Sequence, residues 1–101
     1  MPVVVVTAAP LAGPTEELEA LSAIAVAVST ALALPASAVH VTLVHAVRSV
    51  LGATPVPPWP VLLLYGSPRP ASDVASQAAK ACAASIWSCP PDEVWVQWLT
   101  S

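Results

Sequence analysis

The sequence predicts an α/β fold made of two copies of one βαβ unit, joined into a four-stranded mixed sheet with two helices on one face. Three observations predict it. Pro2-Val3-Val4-Val5-Val6-Thr7 is echoed by Pro60-Val61-Leu62-Leu63-Leu64-Tyr65. Each of these runs is followed by a proline-rich turn and then by a helix signal. Finally, Pro35-Ala36-Ser37-Ala38-Val39-His40-Val41-Thr42-Leu43 matches Pro90-Pro91-Asp92-Glu93-Val94-Trp95-Val96-Gln97-Trp98 without a gap, so that proline and both valines coincide.

The elements follow in order. The run from Pro2 is short and β-branched, as expected of a strand buried on both faces. The turn of residues 8–14 precedes a helix for which Thr15 can cap, with Glu16, Glu17 and Glu19 at its positive end. Leu18, Leu21, Ala25, Val28 and Leu32 then recur on one face. Pro35 stops this helix, and a second strand carries His40 and Thr42 on one side. In the second copy the strand from Pro60 leads to the turn of residues 66–70. Ser72 is the expected cap, and Val74, Ala78, Ala81, Cys82 and Ile86 form the apolar face. Pro90 stops the helix, and the last strand carries Trp95 and Gln97 at the positions of His40 and Thr42. Between the copies, residues 46–59 contain Pro55, Pro57 and Pro58, which exclude a central strand. Val47, Val50 and Leu51 suit an apolar surface that docks on another subunit. The expected organisation is one domain over residues 1–101, with repeat 1 at about 2–45, a linker at 46–59 and repeat 2 at about 60–99.

Parallel strands joined by a helix cross over right-handedly. Two such units can join along their first strands about an approximate two-fold axis, which makes those strands antiparallel neighbours. The start of the first then lies beside the end of the third, and Pro2 meets the turn of residues 66–70.

Composition narrows the function. Apolar residues make up 56% of the 101-residue chain and charged residues 9%, with a net charge of -3. A domain with so few charges exposes large apolar patches unless partner chains cover them. Only Arg48, Arg69 and Lys80 are cationic, so the basic stripe of a nucleic-acid-binding protein is missing. The charge-free stretch of residues 20–34 is shorter than a membrane span and contains serine and threonine. No basic region precedes an apolar run at the N-terminus, so a signal peptide is not expected. Cys82 and Cys89, two helical turns apart, are too distant for a disulfide and read as reduced thiols, which points to the cytoplasm. There is no phosphate-cradling glycine loop and no metal-ligand spacing among the histidines and cysteines, so neither a cofactor nor a metal is expected.

Methionine followed by proline, a strand and a βαβ duplication resembles the tautomerase superfamily over nearly the whole chain. The segments Ala38-Val39-His40-Val41 and Pro91-Asp92-Glu93-Val94-Trp95-Val96-Gln97-Trp98 are similar to strands of macrophage migration inhibitory factor. Gly66-Ser67-Pro68-Arg69-Pro70 is similar to the arginine-bearing turn of malonate semialdehyde decarboxylase and cis-3-chloroacrylic acid dehalogenase. The Pro2-Val3-Val4-Val5 start fits all branches, including 4-oxalocrotonate tautomerase.

The resemblance implies a homotrimer with sites at subunit interfaces, binding a small carboxylate substrate, and a catalytic Pro2 uncovered by removal of Met1. A terminal proline nitrogen is a secondary amine, and an apolar pocket disfavours its protonated form, bringing it toward neutrality where a general base works best. With Met1 retained that nitrogen is an amide and cannot act as a base. Arg69 is the expected second catalytic-site residue, a fork for a substrate carboxylate. The resemblance also implies that Trp95 and Gln97 line the pocket as wall and hydrogen-bond donor, partly from a neighbouring chain. His40 stands where the 4-oxalocrotonate branch has an arginine and is a further substrate-binding candidate; the alternative is a satisfied core histidine on an apolar strand. His45 and Arg48 are expected at subunit contacts or in solvent. Residues 8–15 lack the arginine of the 4-oxalocrotonate branch, and the lysine of the migration inhibitory factor is missing before Pro35. Ala38 stands near the decarboxylase's water-handling aspartate. Hydrolytic dehalogenation is therefore disfavoured, and plain tautomerisation of a small 2-oxo or enol acid remains. The alternative is a non-catalytic βαββαβ binding or assembly module on the same scaffold.

Overall fold

The computed structural model describes residues 2–100. Strand β1 (Val3–Ala8) leads into helix α1 (Pro14–Leu32), a 3-10 turn (Ala36–Ala38) and strand β2 (His40–His45). A small ribbon of β3 (Ser49–Leu51) and β4 (Thr54–Val56) follows. The second copy is β5 (Val61–Gly66), α2 (Ser72–Ile86), a 3-10 turn (Pro91–Glu93) and β6 (Trp95–Thr100). The four long strands form one sheet in the order β2-β1-β5-β6. β1 is parallel to β2 and β5 to β6, whereas the two central strands run antiparallel, pairing Val3 with Tyr65 and Thr7 with Val61.

Alternation along the central strands divides the sheet into two faces. Val4, Val6, Ala8, Leu62 and Leu64 are buried and join Ile24, Val28, Ala75, Ala79 and Ala83 of the helices in one core. Val3, Val5, Thr7, Val61 and Leu63 point to the other face and are half-buried. That open face is completed at its edges by exposed His40, Thr42, Val44, Trp95 and Gln97.

The face of α1 is largely the expected one, with Val28 and Leu32 buried and Leu21 and Ala25 packed against the core, whereas that of α2 shifts toward its alanines. In α1 the buried positions are Ala20, Ile24, Val28, Ser29 and Leu32, while Leu18 is 65% exposed. In α2 they are Ala75, Ala79, Ala83 and Ala84, while Val74 is 60% exposed. The physical reason is close approach. Alanines at i, i+4 and i+8 let α2 lie against the sheet and α1, and the larger side chains fall on its flanks. The expected caps also differ: α1 begins at Pro14 after Gly13, and α2 begins at Ser72 itself, neither with a side-chain cap. Proline at the first helical position takes over at α1, because its missing N–H is one that needs no partner.

Both helices end in the same way. Ala33 and Ser88 adopt left-handed conformations (φ 57° and 53°). The N–H of Leu34 then donates to the Ser29 carbonyl (2.9 Å) and that of Cys89 to the Ala84 carbonyl (3.0 Å). This 6→1 closure is the Schellman motif, usually built on glycine. Pro35 and Pro90 follow two residues later, so the internal repeat extends to the backbone of the turns.

Residues 46–59 stay out of the main sheet but pair among themselves, Val50 opposite Pro55. A left-handed glycine, Gly52 (φ 64°), makes this reversal. Among the described residues no helix is long and apolar enough to cross a membrane.

Candidate functional site at the start of the first strand

The antiparallel junction of β1 and β5 sets Pro2 beside the turn that carries Arg69. Val3 pairs with Tyr65, so Pro2 lies beside Gly66, where β5 ends and the turn carrying Arg69 begins. On its other side the N–H of His40 donates to the Pro2 carbonyl (3.1 Å). Pro2 is thus held between the start of β2 and the end of β5, and its ring is fully buried. Met1 lies outside the described residues.

Gly66 is required by its neighbour. A Cβ built there would stand 2.9 Å from Cζ2 of Trp98, so the indole packs directly on the glycine backbone. The indole Nε1–H of Trp98 is buried without an acceptor, and so is Nε of the half-buried Arg69. A buried donor lacking an acceptor costs about 1–3 kcal/mol. Both donors belong to residues around the end of β5.

The remaining candidates are spread along the open face. His40 is exposed in the row of Val3, its Nδ1 3.5 Å from Oγ1 of Thr42. Gln97 pairs with Leu63 in the middle of the outer strand. Trp95 pairs with Val61, which pairs with Thr7, so it stands at the opposite end of the sheet from Pro2. Five residues of strand separate those ends, about 17 Å. Trp95 is 68% exposed and lines an apolar groove of about 370 Å³ with Val50, Leu51, Val56 and Trp59. Within one chain, Pro2, His40 and the turn of residues 66–70 share one end, Gln97 lies midway and Trp95 stands at the other end.

Reading the residues one at a time missed two partnerships. His45 does not stand free in solvent: its Nε2 meets Oε2 of Glu17 at 2.6 Å, and the N–H of Leu11 donates to the same oxygen (3.3 Å). This carboxylate fastens α1, the loop of residues 9–13 and the end of β2 together. At the same end, Nε1–H of Trp87 donates to the Ala9 carbonyl (2.8 Å). The signal for the first was an acidic residue in the opening turn of α1 with a histidine closing β2, but its pairing needed the topology.

No family model matches the sequence, and no curated protein matches it. Solved structures do match. A wild-type fused 4-OT (R7), described as an asymmetric trimer, superposes with a TM-score of 0.85 at 16% identity, covering 98% of this chain and 85% of that one. The fold is that of the tautomerase superfamily. A macrophage migration inhibitory factor-like protein from Entamoeba histolytica gives a TM-score of 0.81 at 11% identity, over 99% of this chain and 87% of its own. Macrophage migration inhibitory factor from Giardia lamblia gives 0.77 at 13% identity, over 97% of each. The βαβ duplication, the mixed sheet and the two helices on one face are therefore those of the tautomerase fold.

Proposed function

We propose that this chain is a cytoplasmic keto–enol tautomerase acting on a small 2-oxo or enol carboxylic acid, with Pro2 as general acid/base and Arg69 as carboxylate anchor. The observation that carries this reading is the position of Pro2: buried at the strand junction, beside the turn that bears Arg69, with the Nε of Arg69 and the Nε1 of Trp98 both lacking acceptors. A substrate carboxylate would supply such an acceptor to the guanidinium, which suits two parallel hydrogen bonds. Removal of Met1 would convert the Pro2 nitrogen from an amide to an amine. The apolar surroundings disfavour its protonated form and leave it able to take a proton. It would take the proton from the enol oxygen or from the carbon beside the carbonyl and return it at the other position. The isomerisation balances without a redox partner.

The open face supports assembly into a homotrimer. Val44, Tyr65 and Trp95 are exposed apolar groups on it, more than a lone small domain usually displays. A neighbouring copy would bring its Trp95 and Gln97 over Pro2 and His40, making the site complete only in the oligomer. The unpaired thiols of Cys82 and Cys89 agree with a reducing compartment. Ketonisation of an enol acid by the purified protein tests the reading: P2A should lower the rate about 10²–10⁴-fold, the usual contribution of a positioned acid/base. An unchanged rate would remove Pro2 from the mechanism.

A further inference from the structure

The internal two-fold relates the Pro2 end of the sheet to a second end, where Pro60 begins β5. The hydrogen bonding is the same: the N–H of Trp95 donates to the Pro60 carbonyl (3.0 Å) as that of His40 does to Pro2. Pro60 is likewise fully buried. Its nitrogen lies inside the chain and is an amide, so this end has no base to offer. It has a cleft instead, of about 360 Å³, walled by Trp59, Pro60, Trp87, Cys89, Pro90 and Glu93.

Three features of the cleft select its ligand. Its walls include two indoles, and Trp87 is fixed in place by its Nε1–H bond to the carbonyl of Ala9, another lining residue (2.8 Å). Pro57, Pro58, Pro60 and Pro90 supply no N–H, so an anion entering here finds few donors. The one charged lining residue is Glu93, which makes no ion pair among the described residues. Its field reaches the Cys89 thiol, which burial and then the Glu93 carboxylate push above the usual range.

We propose that this cleft binds an alkylated ammonium group, its methyls against Trp59 and Trp87 and its charge compensated by Glu93. An indole face attracts a cation through its quadrupole, most strongly where water is excluded. A primary ammonium must satisfy three N–H groups, whereas a quaternary one has none and presents an apolar shell to apolar walls. This site stands apart from the tautomerase reading, since neither Pro2 nor Arg69 takes part in it.

The test is a ¹H–¹⁵N titration of the full chain, with indole signals assigned from W59F and W87F. Choline and the amide of N-acetyl-trimethyllysine are the probes, and 3,3-dimethylbutan-1-ol is the neutral isostere of choline. The indole N–H signals of Trp59 and Trp87 should shift saturably with the cations, while those of Trp95 and Trp98 stay. The isostere should bind about tenfold more weakly, and E93Q should lose about tenfold for choline, the size of one desolvated cation–π or charge contact. Tighter binding of the trimethyllysine amide would point to a protein side chain as the source, and tighter binding of choline to a free small molecule. Equal binding of the isostere, unchanged affinity in E93Q, shifts centred on Trp95 or the lack of saturable shifts would each overturn the proposal.

Discussion

At one end of the sheet Pro2 sits between the N–H of His40 and the strand end that leads to Arg69; at the other, Pro60 sits between Trp95 and the strand end that leads to residues 9–13. The backbones are alike, and the chemistry is not. The turn beside Pro2 carries the cationic Arg69, whose Nε, like Nε1 of Trp98, is buried without an acceptor. At the Pro60 end two carboxylates are placed, Glu17 bound by His45 and the N–H of Leu11, and Glu93 lining a tryptophan-walled cleft. Duplication supplies two equivalent proline positions, but a chain has one N-terminus. In the proposed mechanism only Pro2 becomes an amine, whereas the nitrogen of Pro60 stays an amide, which leaves the second end open to another use.

The contrast is broken most directly by exchanging the prolines for alanine. Ketonisation should collapse in P2A, while P60A should keep its kcat even though the protein is less stable; comparable losses of kcat in both would contradict the difference between the ends. Next in size is the anchor. R69A should raise KM for a carboxylate substrate about 10–100-fold, the worth of a hydrogen bond to a charged group, with a smaller change in kcat. An unaltered KM would make Arg69 a surface residue.

Packing separates the ends as well. Gly66 meets the Trp98 ring, whereas its counterpart Ala8 carries a Cβ in the core. G66A should therefore cost about 1–3 kcal/mol by overpacking, and A8G only about 1 kcal/mol, both read from denaturant midpoints. The two helix ends should instead respond alike. Ala33 and Ser88 hold left-handed conformations that glycine adopts without strain, so A33G and S88G should each gain about 1 kcal/mol. A gain at one and a loss at the other would show that the repeat is not equivalent there.

The smallest effect lies in the thiols. Burial raises Cys82, and burial with the Glu93 carboxylate raises Cys89. Both therefore hold less thiolate than a free cysteine at pH 8, and alkylation should be slow until the pH passes the ordinary thiol range. E93Q removes one of the two causes at Cys89, so Cys89 should label faster while Cys82 is unchanged.

Much of this fold was legible because the repeat was written at the level of residues. Pro35 and Pro90, Val39 and Val94, and Val41 and Val96 align without a gap, and two βαβ units have few right-handed ways to join. The meeting of Pro2 with the Arg69 turn followed from that topology. The face of α2 was less legible, because a period drawn through Val74 misses a contact made by Ala75, Ala79 and Ala83. The ribbon of β3 and β4 was hidden by prolines, which exclude a central strand but not a pair of short edges. The cleft at Pro60 could not be read either. Trp59, Trp87 and Glu93 lie far apart in sequence and meet only once the second unit is folded.

The central claim is that Pro2 acts as an amine, and the intact mass of untagged protein, expressed in its native form and assayed for ketonisation in the same sample, tests it most directly. The account predicts a mass lacking Met1, together with turnover that disappears in P2A. A mass that retains Met1 in protein that still turns over would contradict it, because an amide nitrogen cannot carry the proton.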